Sequence, residues 1–339
     1  MNNTLAGYLT ESFEKERNMI RESTIKTTGF DNLDKITMGL KSELYLLAGV
    51  PSIGKSTFAL QLAIQVAKQK KYVLYIALEQ SKAELAAKCL INEYSRQHFN
   101  DKQNLLYNAN YSASHYLYSN SFSFNNISID KTLSSFSKYL IIWDGGYHAK
   151  NIQQFRNFID FDLKDTPPSL IIVDYLQILS PRDKSAQISD KQRVDMIVDD
   201  LQNVLPGEHR PPVIAISSVN RSSYLSPITL QSLKESGGLD YGADVVWALQ
   251  PDIVFNFSDK DSTETRERKL REDEEIALSN GNRLIRLKCL KNRMGEKTDS
   301  CLFNYYPKLE FFEETYRKKS TAAQAKSESK RADGVRIRI

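Results

Sequence analysis

An α/β fold with a mainly parallel sheet flanked by helices is predicted by three features of this 339-residue chain. Short apolar runs alternate with longer amphipathic stretches, the order expected of strands and crossover helices. A glycine-rich loop joins the first apolar run to the first long amphipathic stretch. The composition, 41% hydrophobic and 26% charged, is that of an ordinary globular protein and excludes a disordered or fibrous chain.

The elements follow in order. Leu5, Leu9, Phe13 and Ile20 stand near helical spacing with charged residues between them, so residues 1–22 are expected to form one amphipathic helix. The turn-rich stretch 27–34 then opens the main domain, taken as 23–316. Glu43–Ala48 reads as a strand, Lys55–Lys70 as a helix, Tyr72–Leu78 as a strand and Lys82–Arg96 as a helix. Residues 97–136, dense in Asn, Ser and Tyr, show no clean period and read as helical pieces with a long loop. Strands resume at Tyr139–Trp143, Ser169–Val173 and Val213–Ser217. Runs this apolar suit a sheet covered on both faces.

Charge and cysteine usage narrow the function classes. Residues 317–339 hold eight Lys and Arg against Glu328 and Asp333, a balance of +6, and read as a disordered tail. The remaining 38 basic and 40 acidic residues balance to −2, so any nucleic-acid contact of the body must be local. The tail itself is either a solvated solubility segment or a phosphate-binding arm. No stretch of about 18 apolar residues exists, and Met1–Thr10 lacks a basic segment followed by an apolar run, so neither membrane spanning nor secretion is expected. Cys89, Cys289 and Cys301 form no CxxC pair, which excludes a readable disulfide framework or Cys-rich zinc site and fits a reducing cytoplasm.

Gly49-Val50-Pro51-Ser52-Ile53-Gly54-Lys55-Ser56 matches GxxxxGK[ST] in full, between an apolar run and a helix. Such a loop turns its backbone N–H groups inward, and the helix N-terminus adds partial positive charge, so it captures phosphate. Lys55 is expected to reach the β- and γ-phosphates of ATP and the Ser56 hydroxyl to ligate Mg²⁺. Asp174, closing Leu170-Ile171-Ile172-Val173, has the place of a carboxylate on the metal side. Glu79 ends another strand on the same rim and is either a solvated turn residue or the base that orients water.

Pro51 to Thr57, Ala77-Leu78-Glu79, Asp174-Tyr175-Leu176-Gln177, Asn220-Arg221, Lys234-Glu235-Ser236-Gly237 and Lys291-Asn292-Arg293 occur in the order found in DnaB-type replicative helicases. Over about residues 24–312 the chain resembles the RecA-like motor domain of that family. The resemblance implies a RecA-like P-loop NTPase fold and ATP hydrolysis with Mg²⁺. Glu79 falls on the family's catalytic glutamate and Asp174 on its Mg²⁺-side aspartate. Gly49, Pro51, Ser52, Gly54, Lys55, Ser56 and Thr57 fall on its ATP loop. Arg293 falls on the arginine finger that reaches the next subunit's γ-phosphate, with Lys291 beside it; the alternative for Arg293 is a solvated strand-end cation. Arg221, Lys234, Glu235 and Gly237 fall on the segment that touches single-stranded DNA.

A finger acting in trans implies a homo-oligomeric ring, a hexamer by resemblance, with an accessory or loader protein among its partners. Residues 1–22 resemble the family's linker helix, which docks on the adjacent subunit, and the family's N-terminal helical domain is absent from the sequence. Ser218 stands where the family has glutamine, which implies hydrolysis that responds weakly to DNA. The expected function is a cytoplasmic ATP-dependent DNA helicase motor of DNA replication. The alternative is a nucleotide-switched scaffold or recruitment subunit within a mobile-element or defence complex.

Overall fold

Nine strands form one sheet in the computed structural model, which describes residues 4–108, 111–119, 128–144, 151–180, 189–203, 211–233, 242–293, 295 and 300–315. In chain order they are β1 (Leu44–Gly49), β2 (Val73–Ala77), β3 (Leu140–Trp143), β4 (Leu170–Asp174), β5 (Val213–Ser218), β6 (Val245–Pro251), β7 (Arg283–Asn292), β8 (Ser300–Tyr306) and β9 (Phe311–Thr315). Their order across the sheet is β3-β2-β4-β5-β1-β6-β7-β8-β9. The first six in this order are parallel, and β7, β8 and β9 continue the sheet antiparallel. The mainly parallel sheet expected from the sequence is present, extended by an antiparallel flank.

Alternation along each parallel strand feeds two cores. Tyr45 and Leu47 of β1, Tyr75 of β2 and Ile172 of β4 pack on one face, beneath α3 (Asp31–Thr37), α4 (Lys55–Ala67) and α5 (Lys82–Gln97). Leu44, Leu46, Leu74, Ile171 and Val173 pack on the other, beneath the helices Ile152–Asn157 and Asp190–Asn203. Burial on both faces explains why these strands read as unbroken apolar runs. The antiparallel hairpin β8–β9 folds against α4 through aromatic contacts: the Phe58 ring lies 5.4 Å from Phe303 and 5.3 Å from Phe312, both edge-on.

One buried ionic group ties α4 to α5. Glu93 is fully buried and accepts from Arg96 at 2.6 Å and from Lys68. Burial alone would raise its carboxyl, but the hydrogen bonds from Arg96 and Lys68 hold it below the usual range. A depressed carboxylate contributes stability above its unfolded pKa, and that contribution is lost as pH falls through the folded one.

The N-terminal segment differs from the single helix expected. It forms two, α1 (Leu5–Glu11) and α2 (Phe13–Ser23), broken at Ser12, whose φ of −125° leaves the helical range. Serine has weak helix propensity, and Tyr8 bridges the break by donating to Glu16 at 2.8 Å. Among these residues only Gly7 is buried, while Leu5 is 73% and Ile20 59% exposed, so the chain's own domain leaves the apolar stripe uncovered. In 97–136 the described residues form the short helices Lys102–Tyr107, Ala113–Tyr118 and Ile129–Leu133, in keeping with helical pieces. The tail 317–339 lies outside the described residues.

Candidate nucleotide site

The C-terminal ends of β1, β2, β4 and β5 meet at one rim, where a cleft of about 700 Å³ opens. Its floor is the loop from Gly49 to α4. Gly54 has φ +91°, and a Cβ there would lie 2.8 Å from the Tyr305 ring and 2.9 Å from Phe312, so both conformation and space require glycine. Pro51, Ser52, Gly54, Lys55, Ser56 and Thr57 all line the cleft, and Gly49 ends the strand beneath it. The Lys55 ammonium crosses the loop to donate to the Val50 carbonyl at 2.9 Å. Burial pushes Lys55 down to about 8, against the opposing pull of Asp174 and Glu79.

Asp174 closes β4 with 3% exposure. Tyr75 donates to it at 2.7 Å, and the Ser56 hydroxyl is hydrogen-bonded to it as well. Burial raises the Asp174 carboxyl, and those two hydrogen bonds and Lys55 oppose the rise. A buried carboxylate touching the P-loop serine is a hard oxygen pair that suits Mg²⁺, which takes one or two protein ligands and completes its shell with water and phosphate oxygens. The residues present therefore fit the ion.

Glu79 lies two residues past the end of β2 and is exposed. Ala77 pairs with Asp174 across the sheet, and Leu78 N–H donates to the Asp174 carbonyl at 2.8 Å, which sets Glu79 on the cleft wall. Ser218 is level with Gly49 in the parallel register and also lines the cleft. Gln177 donates instead to the neighbouring Ser217 at 2.8 Å. The Asn220 amide is taken by the Leu233 carbonyl at 3.4 Å.

Arg293 and Lys291 are not brought to this cleft. Arg293 N–H donates to the Asp244 carbonyl at 3.1 Å, and its guanidinium meets the Asp244 carboxylate at 3.1 Å. Asp244 in turn accepts from the backbone of Leu44 at 3.1 Å, at the start of β1. The P-loop leaves the other end of that strand, and five residue steps at about 3.3 Å separate the two ends by about 17 Å. Lys291 donates to the Ala243 carbonyl at 2.6 Å on the same far side. Arg221, exposed, opens the loop that leaves β5 and returns where Leu233 pairs with Val219. Lys234, Glu235 and Gly237 lie outside the described residues.

Sequence reasoning did not assign Gln80, Glu84, Lys88, Tyr175, Ile216 or Tyr305 to the cleft, and two of these matter most for its chemistry. Lys88 lines it from α5, one turn after Glu84, the residue that completes the capping box with Ser81. The i,i+4 spacing of Glu84 and Lys88 after a strand end was the available signal. Tyr305, from β8, carries no local signal, because only the fold brings it to the P-loop.

The family model for the DnaB-like helicase C-terminal domain matches residues 26–314. The chain belongs to that family. It is 30% identical over 246 residues to a probable replicative DNA helicase of Trieres chinensis, covering 68% of this chain and 48% of that protein. It is 29% identical over 252 residues to the replicative DNA helicase DnaB of Geobacillus stearothermophilus, covering 73% of this chain and 51% of the relative. The DnaB-family chain thus spans about half the length of these relatives. Its fold resembles a solved ATPase domain, with a TM-score of 0.64 and 20% identity over 93% of this chain and all of that one. A DnaB-like replicative helicase solved in a study of its interactions with primase matches at TM-score 0.64 and 21% identity, covering 89% of this chain and 67% of that one. Among the described residues no helix is long and apolar enough to cross a membrane.

Proposed function

We propose that this chain is the ATP- and Mg²⁺-dependent motor of a ring helicase, a hexamer that encircles single-stranded DNA in the cytoplasm. The observation that carries the reading is the split site. Lys55, Asp174 and Glu79 share one cleft, while Arg293 stands on the opposite rim of the same subunit, away from its own cleft. Lys55 and the loop amides hold the β- and γ-phosphates, and Ser56 and Asp174 hold the metal. Mg²⁺, when bound, neutralises charge on the phosphate oxygens. Glu79 orients the attacking water and accepts its proton, and Arg293 of the adjacent subunit meets the charge of the transition state. The uncovered stripe on α1 and α2 docks on that neighbour. Arg221, Lys234, Glu235 and Gly237 are assigned to binding DNA. An accessory or loader protein places the ring on DNA. Relatives named replicative helicases favour this motor over the scaffold alternative.

The test is displacement of a strand from a forked DNA, with particle imaging. Wild type is expected to form rings and unwind with ATP, Lys55→Ala to form rings without unwinding, and the chain lacking 1–22 to form fewer rings. ATP hydrolysis by wild type with neither rings nor displacement would overturn the motor reading.

Two expectations concern the cleft itself. Because burial depresses Lys55 to about 8 and phosphate favours its charged form, MgADP affinity should weaken as pH rises through that value. Proton uptake on binding, measured by calorimetry in buffers of different ionisation enthalpy, should grow between about pH 7 and 8.5; no uptake would contradict the assignment. Ser218 ends in a hydroxyl on Cβ, one methylene and a carboxamide short of the family's glutamine. Hydrolysis should therefore respond weakly to single-stranded DNA, and Ser218→Gln should raise that response at unchanged ATP affinity. Strong stimulation of wild type that Ser218→Gln lowers would show a working serine sensor.

A further inference from the structure

One carboxylate stands where a polyphosphate site has least use for it. Glu310 forms the tip of the β8–β9 turn, with φ +48°, and its side chain is mostly buried. One of its oxygens accepts from the Thr57 hydroxyl at 2.6 Å, in the first turn of α4. The other lies 3.7 Å from the ammonium of Lys88, the second lysine lining the cleft. The tip does not swing freely: Asn92 of α5 donates to the Glu310 carbonyl, and Gln61 of α4 bonds both backbone groups of Phe312 at 2.8 Å.

Each contact removes something a phosphate group would use. A hydroxyl has one proton, and that of Thr57 is committed to Glu310. Half of the ammonium charge that lines the cleft, that of Lys88, is paired with the same carboxylate. One ammonium regained by bound phosphate corresponds to about a fivefold change in affinity, the upper range of a solvent-screened charge pair.

We propose that Glu310 is a positioning residue that sets how tightly nucleotide is retained, by holding Lys88 and Thr57 back from the phosphates so that MgADP leaves readily. This inference rests on the nucleotide-site reading of the cleft and adds a residue to it. Loss of the carboxylate charge then frees Lys88 for the phosphates. Tighter product binding slows the cycle wherever release limits it.

The test is MgADP affinity and release rate, followed with a fluorescent ADP analogue on the full chain. Wild type, Glu310→Gln, Glu310→Asn, Lys88→Met and the double variant Glu310→Gln/Lys88→Met are compared, with thermal midpoints as fold controls. Asparagine tolerates a positive φ, so it retains the test if glutamine disturbs the turn. Both neutral variants are expected to bind MgADP about fivefold more tightly, with the gain in a slower release rate and with KM for ATP falling alongside kcat. Lys88→Met alone should leave MgADP binding within about twofold of wild type, since that lysine is already held by Glu310, and in the double variant the gain should shrink below about twofold, since no ammonium remains to be freed. Unchanged or weaker MgADP binding in both neutral variants would overturn the proposal and leave Glu310 a structural clamp. The full fivefold gain persisting without Lys88 would overturn the route through that lysine. Lys55→Ala separates the two levels of the argument: if wild type binds MgADP and Lys55→Ala does not, the nucleotide site stands whatever Glu310 does.

Discussion

Glu79→Gln is expected to lower ATP turnover by about 10²–10⁴-fold, the usual contribution of a positioned general base, while nucleotide affinity stays within about twofold of wild type. Binding draws on the P-loop amides, Lys55 and the metal-side pair Ser56 and Asp174, none of which the substitution touches. Glutamine keeps the size and one acceptor oxygen of glutamate but cannot take a proton from water. Glu79 is exposed at the cleft wall, two residues beyond β2, so little packing depends on its charge and the thermal midpoint should not move. A coupled ATPase assay beside a fluorescent-nucleotide titration separates the two effects. Turnover at the wild-type rate would remove Glu79 from the base role, and a parallel collapse of affinity would make it a binding residue instead.

The parts of this site that are legible in the sequence are those whose chemistry is local. Gly49 to Ser56 needs its spacing to bend around phosphate, and the fold confirms only that Gly54 has no room for a side chain. The strands β1, β2, β4 and β5 are legible because burial on two faces makes each an unbroken apolar run. The strand β6 lies between β1 and β7, yet it passes unread, since a short apolar run such as Val245–Pro251 fits a buried helix segment equally well by periodicity. The hairpin β8–β9 is hidden for another reason: Glu310 meets Thr57 across 253 residues of chain, a contact only the assembled sheet creates. Lys88 lies between these cases, readable from its spacing to Glu84 once α5 is placed beside the P-loop. The break at Ser12 is decided by one residue's weak preference, below what an apolar pattern reports.

Arg293→Ala is expected to cost about 10³-fold or more in turnover, the range of an arginine finger, and to do so in a way that subunit mixing exposes. Within one subunit Arg293 is about 17 Å of strand away from the P-loop, and its side chain is 72% exposed. Asp244 is 17% exposed, but the guanidinium stands in solvent, which screens the pair to about 1 kcal/mol. A guanidinium-to-phosphate hydrogen bond between full charges is roughly twice as strong as a neutral one, so a neighbour's γ-phosphate can draw the finger away at little cost. Glu79→Gln spoils the hydrolysing side of an interface and Arg293→Ala spoils the donating side. In a random mixture of the two proteins, about a quarter of interfaces join an intact Glu79 to an intact Arg293. Turnover of the mixture should then rise to about a tenth to a quarter of wild type, far above either protein alone. Exchange of subunits is verified by energy transfer between labelled chains. If exchange is complete and the mixture stays at the mean of the two single variants, Arg293 does not act across the interface, and its pairing with Asp244 becomes its whole role.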